Sequence, residues 1–270
     1  MYGDGSHITP ASGQHVGNIR VLGGVHSPEL GNTRDIHVYL PPSYAHSGRH
    51  YPVIYMHDGQ NLFDASVAFA GEWQVDETFE RIARDGIEAI VVGIPNMGAQ
   101  RLEEYSPFPD ARQGGGRGDA YLDFVVRTLK PAVDARFRTR AERTHTGIMG
   151  SSMGGLISLY GCFRHAGTFG FAGVMSPSLW FGDGAIFDYV AQQRGWAGKV
   201  YLDIGTGEGR RHVRHARLMA RVLRRIAARP RLSVMYVEDK GARHEESAWS
   251  GRFERAVRFL LPRVMPDLHW

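Results

Sequence analysis

The sequence has little cysteine, little lysine and no long apolar run. Its 270 residues include one cysteine, Cys162, which by itself can form neither an internal disulfide nor a cysteine-based zinc site. No apolar stretch approaches the ~20 residues that a membrane-spanning helix requires. The first residues lack the basic segment and apolar stretch of an export signal, so the expected location is cytoplasmic. These absences argue against a disulfide-stapled secreted domain and against a membrane-embedded protein.

The formal charge of +4 at pH 7 comes from arginine, because lysine occurs only at Lys130, Lys199 and Lys240. Residues 210–231 are the most basic stretch, and apolar residues recur in it at helical spacing. This pattern predicts an amphipathic surface helix whose arginines face water. Since no nucleic-acid recognition motif accompanies the charge, we expect neither a nucleic-acid nor a membrane partner. The sequence leaves open whether the protein forms a homo-oligomer.

The order of apolar patterns predicts an α/β fold. Short apolar runs typical of buried parallel strands alternate with amphipathic helical patterns. The runs lie at residues 51–56, 88–94, 144–149, 171–175, 199–204 and 232–237, and the helices at 72–84, 119–137, 183–194, 210–231 and 246–261. Residues 20–26 and 34–40 alternate in polarity around a turn, which predicts an antiparallel hairpin. We therefore expect a mostly parallel sheet with helices on both faces and this hairpin at one edge.

The domain organisation follows from the absence of repeats and of linker-like segments. We expect a flexible N-terminal segment at residues 1–18 and a single domain at residues 19–270. The connection at residues 96–118 is long and rich in glycine, which is typical of functional or mobile loops.

A Gly-x-Ser-x-Gly motif spans residues 150–154, between a predicted strand and a predicted helix. In that context the motif indicates a nucleophile elbow, a sharp turn that holds a serine hydroxyl above the sheet. Side chains two positions before and after the serine would collide, so both positions need glycine. This register selects Ser152, because Ser151 would have methionines at those two positions.

A serine nucleophile needs a general base, and the base needs a carboxylate that orients it. His244 follows the last predicted strand and precedes the last helix, where an α/β-hydrolase places its base. Glu208 follows the strand at residues 199–204 and is the preferred acid. Asp203, inside that strand, is better explained as a buried structural carboxylate. The remaining candidates for the acid are Asp183 and Asp239.

The oxyanion of an ester-hydrolysis intermediate needs two preorganised N–H donors. The expected donors are the backbone N–H of Met153, directly after the serine, and that of Gln60, in the loop after the strand at residues 51–56. A metal site at His57 and Asp58 is disfavoured, because adjacent residues alternate sides of an extended chain and no third ligand is evident. We predict no metal.

Four further residues are candidates for substrate binding. Trp180 and Trp249 lie near functional loops and could line an apolar pocket, as could Phe181, although ordinary packing explains such aromatic residues equally well. Asp58 is the polar candidate.

Several segments together resemble the esterase family of α/β-hydrolases typified by esterase D, enterochelin esterases and feruloyl or acetylxylan esterases. The loop at residues 57–61 with Arg101, Glu104 and Tyr105 is the most specific part. The other matching segments are residues 38–44, 56–63, 71–73, 104–107, 150–155, 176–178 and 205–208, with His244 and Trp249.

The resemblance implies an α/β-hydrolase fold with little or no lid, and a triad of Ser152, His244 and Glu208. It also implies hydrolysis of a small-molecule ester through an acyl-enzyme, without a cofactor. Many members of the family are secreted, and the missing export signal argues against an extracellular polysaccharide substrate. An acyltransferase using the same triad with an alcohol or sugar acceptor is the alternative, and a non-catalytic binding module is a third hypothesis.

Overall fold

One nine-stranded sheet organises the protein, whose structure is a computed structural model that describes residues 7–227 and 232–262. The strands are β1 (Ile8–Pro10), β2 (Asn18–Ser27), β3 (Asn32–Leu40), β4 (Val53–His57), β5 (Ile90–Ile94), β6 (Thr146–Ser151), β7 (Phe171–Met175), β8 (Gly198–Gly205) and β9 (Leu232–Asp239).

Eight α-helices accompany the strands within the described ranges. They are α1 (Val75–Ile82), α2 (Arg101–Glu104), α3 (Gly118–Asp123), α4 (Lys130–Arg136), α5 (Met153–Arg164), α6 (Ile186–Ala191), α7 (Arg210–Ile226) and α8 (Glu246–Leu260). A π-helical turn, Phe124–Leu129, joins α3 and α4. Across the described residues, no helix combines the length and apolarity needed to cross a bilayer.

The strand order is β1-β2-β3-β5-β4-β6-β7-β8-β9. The strands from β5 to β9 in this order pair in parallel, and β1, β2 and β3 are antiparallel. Parallel strands all end at the same edge of a sheet, so the loops after β4, β6, β7, β8 and β9 lie side by side. The predicted fold class, a mostly parallel sheet with an antiparallel hairpin at one end, is confirmed.

The two faces of the sheet carry separate cores, because successive side chains of a strand point to opposite faces. In β4, Val53 and Tyr55 pack into one cluster with α3 to α7, while Ile54 and Met56 pack into the other with α1 and α8. Every residue of β4 is buried, which explains why this strand is a continuous apolar run in the sequence.

The boundaries of several elements differ from the sequence prediction for local backbone reasons. The helix predicted at residues 72–84 begins only at Val75, because Gln74 has a φ of 53°. The helix predicted at 183–194 is found at Ile186–Ala191, and its start is delayed because Gly182 and Asp183 have φ values of 56° and 54°. Left-handed backbone of this kind cannot continue a right-handed helix.

Parts of the sequence prediction fall outside the described residues. These are residues 1–6 of the segment predicted to be flexible, 228–231 of the arginine-rich helix, and 263–270 of the predicted domain. Within the N-terminal segment, β1 pairs with β2 between Ile8 and Leu22. The flexibility of that segment and the domain limits stay predictions.

The contact of α1 and α8 with the sheet depends on aromatic packing. Phe79 on α1 is 1% exposed, and its ring lies 5.7 Å from Tyr39 and 5.8 Å from Phe253. We expect Phe79→Ala to lower the free energy of unfolding by about 3–5 kcal/mol, measured by urea denaturation, because it leaves a cavity between helix and sheet. Phe69→Ala is the matched control, since Phe69 is 91% exposed; a similar loss in both variants would contradict this account.

Candidate active site

The turn between β6 and α5 holds Ser152 in a strained conformation, with φ 55° and ψ −118°. Such a backbone is rare for residues other than glycine and concentrates at functional sites. Gly150 and Gly154 leave room for it. A Cβ on Gly150 would lie 2.9 Å from His57 and 3.0 Å from the backbone of Gly154, and one on Gly154 would lie 3.1 Å from His57. His57 packs beneath the turn and so enforces both glycines.

Three side chains predicted from the sequence meet above this turn. The Oγ of Ser152 lies 3.0 Å from Nε2 of His244, and Nδ1 of His244 lies 2.7 Å from Oε2 of Glu208. The three residues follow β6, β9 and β8, which are far apart in the chain but end at the same edge of the sheet. Ser178, after β7, lies 3.2 Å from the same Ser152 hydroxyl through its own Oγ.

The partners of His244 determine its tautomer. An ionised carboxylate only accepts hydrogen bonds, so Nδ1 must carry the proton that it donates to Glu208. In the neutral ring this leaves the lone pair on Nε2, which faces the Ser152 hydroxyl. The His244 side chain is 39% exposed, so solvent reaches this end of the site.

The carboxylate of Glu208 is buried and fully occupied. Its Oε1 accepts hydrogen bonds from the Ser176 hydroxyl at 2.6 Å and from the Gly205 N–H at 2.8 Å, while Oε2 faces His244. Burial alone would raise the pKa of Glu208, but the hydrogen bonds from His244, Ser176 and Gly205 outweigh it and hold the pKa below the ordinary value. The group therefore stays anionic beside the histidine.

Arg252 and Ser176 support this carboxylate, and neither was identified from the sequence. Arg252 on α8 is buried. It donates a hydrogen bond from Nη2 to the Ser176 Oγ at 2.8 Å and another from Nε to Asp203 at 2.9 Å. Asp203 also accepts the Ser176 N–H at 3.0 Å. Asp203 is thus the buried structural carboxylate that the sequence favoured. Ser176 belongs to the segment at residues 176–178 that resembles the family, and Arg252 lies three positions after Trp249, but the sequence did not reveal these contacts.

The loop after β4 places Asp58 and Gln60 at the same edge of the sheet as Ser152. Asp58 has a φ of 55° and accepts two hydrogen bonds from Arg101, both at 2.8 Å, and one from Asn96 at 2.6 Å. Gln60 accepts the Asn96 N–H at 3.2 Å through its side chain. The long connection after β5, flagged by its length and glycine content, therefore supplies the residues that hold this loop.

His57 has a packing role beneath the site. Its side chain is buried, and Nδ1 lies 2.7 Å from the Tyr121 hydroxyl. Burial lowers the pKa of His57 to about 3, so the ring is neutral near pH 7. Asp58, its neighbour in the chain, forms an ion pair with Arg101. Each of the two residues disfavoured as a metal pair thus has its own protein partners.

A cavity of about 810 Å³ opens over Ser152. Its wall combines aromatic residues, including Trp73 and Trp249, with the Asp58–Arg101 pair, Gln60 and Glu246. Trp249 packs edge-on against His244, with ring centroids 5.0 Å apart.

Four residues predicted for the site are not among those that line this cavity, namely Glu208, Met153, Trp180 and Phe181. Trp180 contacts Phe181, with ring centroids 5.8 Å apart, and is absent from the cavity wall. Its role in substrate binding stays a prediction.

Met153 is the first residue of α5, and the first N–H groups of a helix have no acceptor inside it.

The sequence matches a family model and several known proteins. The family model described as Putative esterase matches residues 27–260. The chain is 26% identical over 251 residues to uncharacterized protein YbbA of Bacillus subtilis, covering 88% of this chain and 96% of that protein. It is 32% identical over 136 residues to the siderophore triacetylfusarinine C esterase of Aspergillus fumigatus, covering 48% of this chain and 45% of that one.

Solved structures show the same fold. The crystal structure of the BES protein from Bacillus cereus matches with a TM-score of 0.75 at 20% identity, covering 94% of this chain and 99% of that one.

The pKa of Glu208 makes a prediction for acid stability. This pKa is lowered in the folded protein and returns to about 4.5 on unfolding. At pH values between the folded and the unfolded pKa, the folded state therefore binds fewer protons than the unfolded state. The stabilising contribution is complete above pH ~4.5 and is lost as the pH falls through the folded pKa. We expect the stability difference between wild type and Glu208→Gln, measured by urea denaturation, to shrink from pH 5 to pH ~3.5.

Glu246→Gln is the matched control, because burial raises the pKa of Glu246. Its folded state binds more protons than the unfolded state above pH ~4.5, so the wild type should gain stability relative to this variant as the pH falls to 4.5. Parallel trends in the two variants would contradict the assignment.

Proposed function

The chain belongs to the Putative esterase family and is an ester-hydrolysing enzyme, and we propose that it works through Ser152, His244 and Glu208. Ser152 is the nucleophile, His244 the general base and Glu208 the carboxylate that orients the base. The observation that carries the proposal is the unbroken chain of hydrogen-bond contacts from the Ser152 Oγ through both nitrogens of His244 to Glu208. A merely structural histidine would not need to direct a lone pair at the strained serine.

In the first half of the reaction, the Ser152 Oγ attacks the ester carbonyl carbon while its proton moves to Nε2 of His244. The resulting imidazolium is stabilised by the anionic Glu208, whose low pKa keeps it from taking the proton itself. When the tetrahedral intermediate collapses, Nε2 returns the proton to the leaving alcohol. An acyl group is left on Ser152.

The oxyanion of that intermediate needs N–H donors that are already in position. The backbone N–H of Met153 is one, at the positive end of the α5 dipole. The other is the N–H of Gln60, which belongs to a 3-10 turn that begins after Asp58, so it has no acceptor inside the turn. Arg101 and Asn96, through Asp58, hold this turn in place.

In the second half, His244 activates a water molecule that attacks the acyl-enzyme, and the same steps release the acid. The acyltransferase alternative differs only in using an alcohol or sugar in place of water. The exposure of His244, 39% of its side chain, gives water direct access to the acyl-enzyme and so favours hydrolysis.

We expect Ser152→Ala to lower kcat for p-nitrophenyl acetate by about 10³-fold or more, because the acyl-enzyme can no longer form. The matched control is Ser151→Ala, a neighbouring serine that also lines the cavity; it should keep most of the activity. A fluorophosphonate probe should label the wild type and the Ser151 variant but not the Ser152 variant. Equal hydrolysis rates in the wild type and Ser152→Ala would refute the proposal.

The choice of acid can be tested separately. Glu208→Gln should reduce kcat by about 10²–10⁴-fold with little change in KM, because the carboxylate charge mainly stabilises the imidazolium, which forms only in the transition state. Glu246→Gln, at another carboxylate of the cavity wall, should change kcat far less. Comparable losses in both variants, with both proteins folded by circular dichroism, would remove Glu208 from the triad.

A further inference from the structure

A group of three carboxylates lies beside the active-site cavity and takes no part in the proposed reaction. Glu72, Asp76 and Glu77 each bring one carboxylate oxygen to within 4.8 Å of the others. Asp76 is fully buried, and Glu72 and Glu77 are half-buried. Asp76 and Glu77 belong to the first turn of α1, and Glu72 precedes that helix by three residues.

Each of these side chains has a buried oxygen without a hydrogen-bond partner. The atoms are Oε1 of Glu72, Oδ1 of Asp76 and Oε2 of Glu77. The other oxygen of Asp76 is occupied, since Oδ2 accepts the N–H groups of Val16 and Gly17 at 2.8 and 3.1 Å. Buried polar atoms in folded proteins are normally paired, and an unpaired buried carboxylate oxygen is costly.

The surroundings add negative charge. The charged neighbours that act on Glu72 are Asp64 and Asp76, and those that act on Glu77 are Asp76 and Glu72. Burial first, then a hydrogen bond shared with the Asp76 carboxyl group, and last these like charges raise the pKa of Glu77 to about 7. The positive end of the α1 dipole favours acidic residues there, but by only about 0.3–1 kcal/mol, and it provides no partner for the three oxygens.

We propose that Glu72, Asp76 and Glu77 bind one divalent cation, with calcium the ion that fits best. Carboxylate oxygens are the ligands that hard cations prefer. The three oxygens lie within 4.8 Å of one another, so one cation can contact them together after a small adjustment. Calcium accepts 6–8 oxygen ligands in a flexible geometry, whereas magnesium demands a near-ideal octahedron and keeps several waters, so an irregular set of carboxylates suits calcium better. Water or backbone carbonyl groups would complete the coordination.

The site would stabilise one wall of the cavity. Trp73, the neighbour of Glu72, lines the cavity and packs against Trp249 in a tilted arrangement with ring centroids 5.8 Å apart. Its backbone N–H donates to the Asn61 carbonyl at 2.9 Å. Asp76 fixes the chain at Val16 and Gly17. A cation here therefore ties the wall at Trp73 to α1 and to the N-terminal segment.

The first test is thermal unfolding of the full chain after treatment with EDTA, with CaCl₂ or MgCl₂ added back. Calcium should raise Tm with the logarithm of its free concentration, by about 5–10 °C at ~100 times its Kd, and magnesium should do less. Glu77→Gln should abolish most of the calcium response. The matched control is Glu80→Gln on the same helix, where Glu80 accepts the Tyr39 hydroxyl, and it should respond like the wild type.

A second test does not depend on a variant that folds. Terbium takes calcium sites and emits when a neighbouring tryptophan is excited. The wild type should therefore show Tb³⁺ emission through Trp73 that saturates at one Tb³⁺ per chain and that excess calcium displaces. No displaceable emission and no calcium shift up to ~10 mM would overturn the proposal. An equal calcium response in Glu77→Gln would also overturn the proposal. So would a wild type that does not respond to calcium and is less stable than Glu77→Gln at pH 8, because that result indicates that the carboxylates share a proton and not a cation.

Discussion

The contact between Glu208 and His244 is the interaction on which the rest of the site depends. A carboxylate can orient an imidazole only if it is itself immobile and ionised, and burial opposes ionisation. The protein resolves this conflict by giving Glu208 donors from Ser176 and Gly205 in addition to the histidine. Arg252 on α8 donates hydrogen bonds to both Ser176 and Asp203, so it holds in place the hydroxyl group that binds Glu208.

A second constraint is the close approach of β4 to the serine turn. The His57 ring occupies the space beneath Ser152, which leaves room only for glycine at positions 150 and 154. Directly after His57, the chain turns through a left-handed residue, Asp58, and carries Gln60 towards the cavity. One buried histidine, neutral because of its burial, thus links the conformation of the serine turn to that of the adjacent loop.

The sequence was informative where a local pattern has one physical cause. Continuous apolar runs mark strands buried on both faces, and the glycines around Ser152 mark a turn that tolerates no side chain. Helix ends were less predictable: α1 and α6 are shorter than their patterns because Gln74, Gly182 and Asp183 adopt left-handed backbone, which amphipathic spacing does not reveal. Ser152, Glu208 and His244 could be chosen as candidates because they follow three of the predicted strands in the order serine, acid, histidine.

What the sequence by itself determined was the order of elements, the fold class and which residues could serve as nucleophile, base and acid. Only the tertiary structure decided which of these side chains touch, since a contact between residues 36 or 92 positions apart depends on how parallel strands align at one edge. The hydrogen bonds that Ser176, Arg252 and Arg101 make became visible only there, because a buried ion pair or hydrogen bond has no periodic pattern. The sequence specifies the chemical groups, and packing of the sheet specifies their distances.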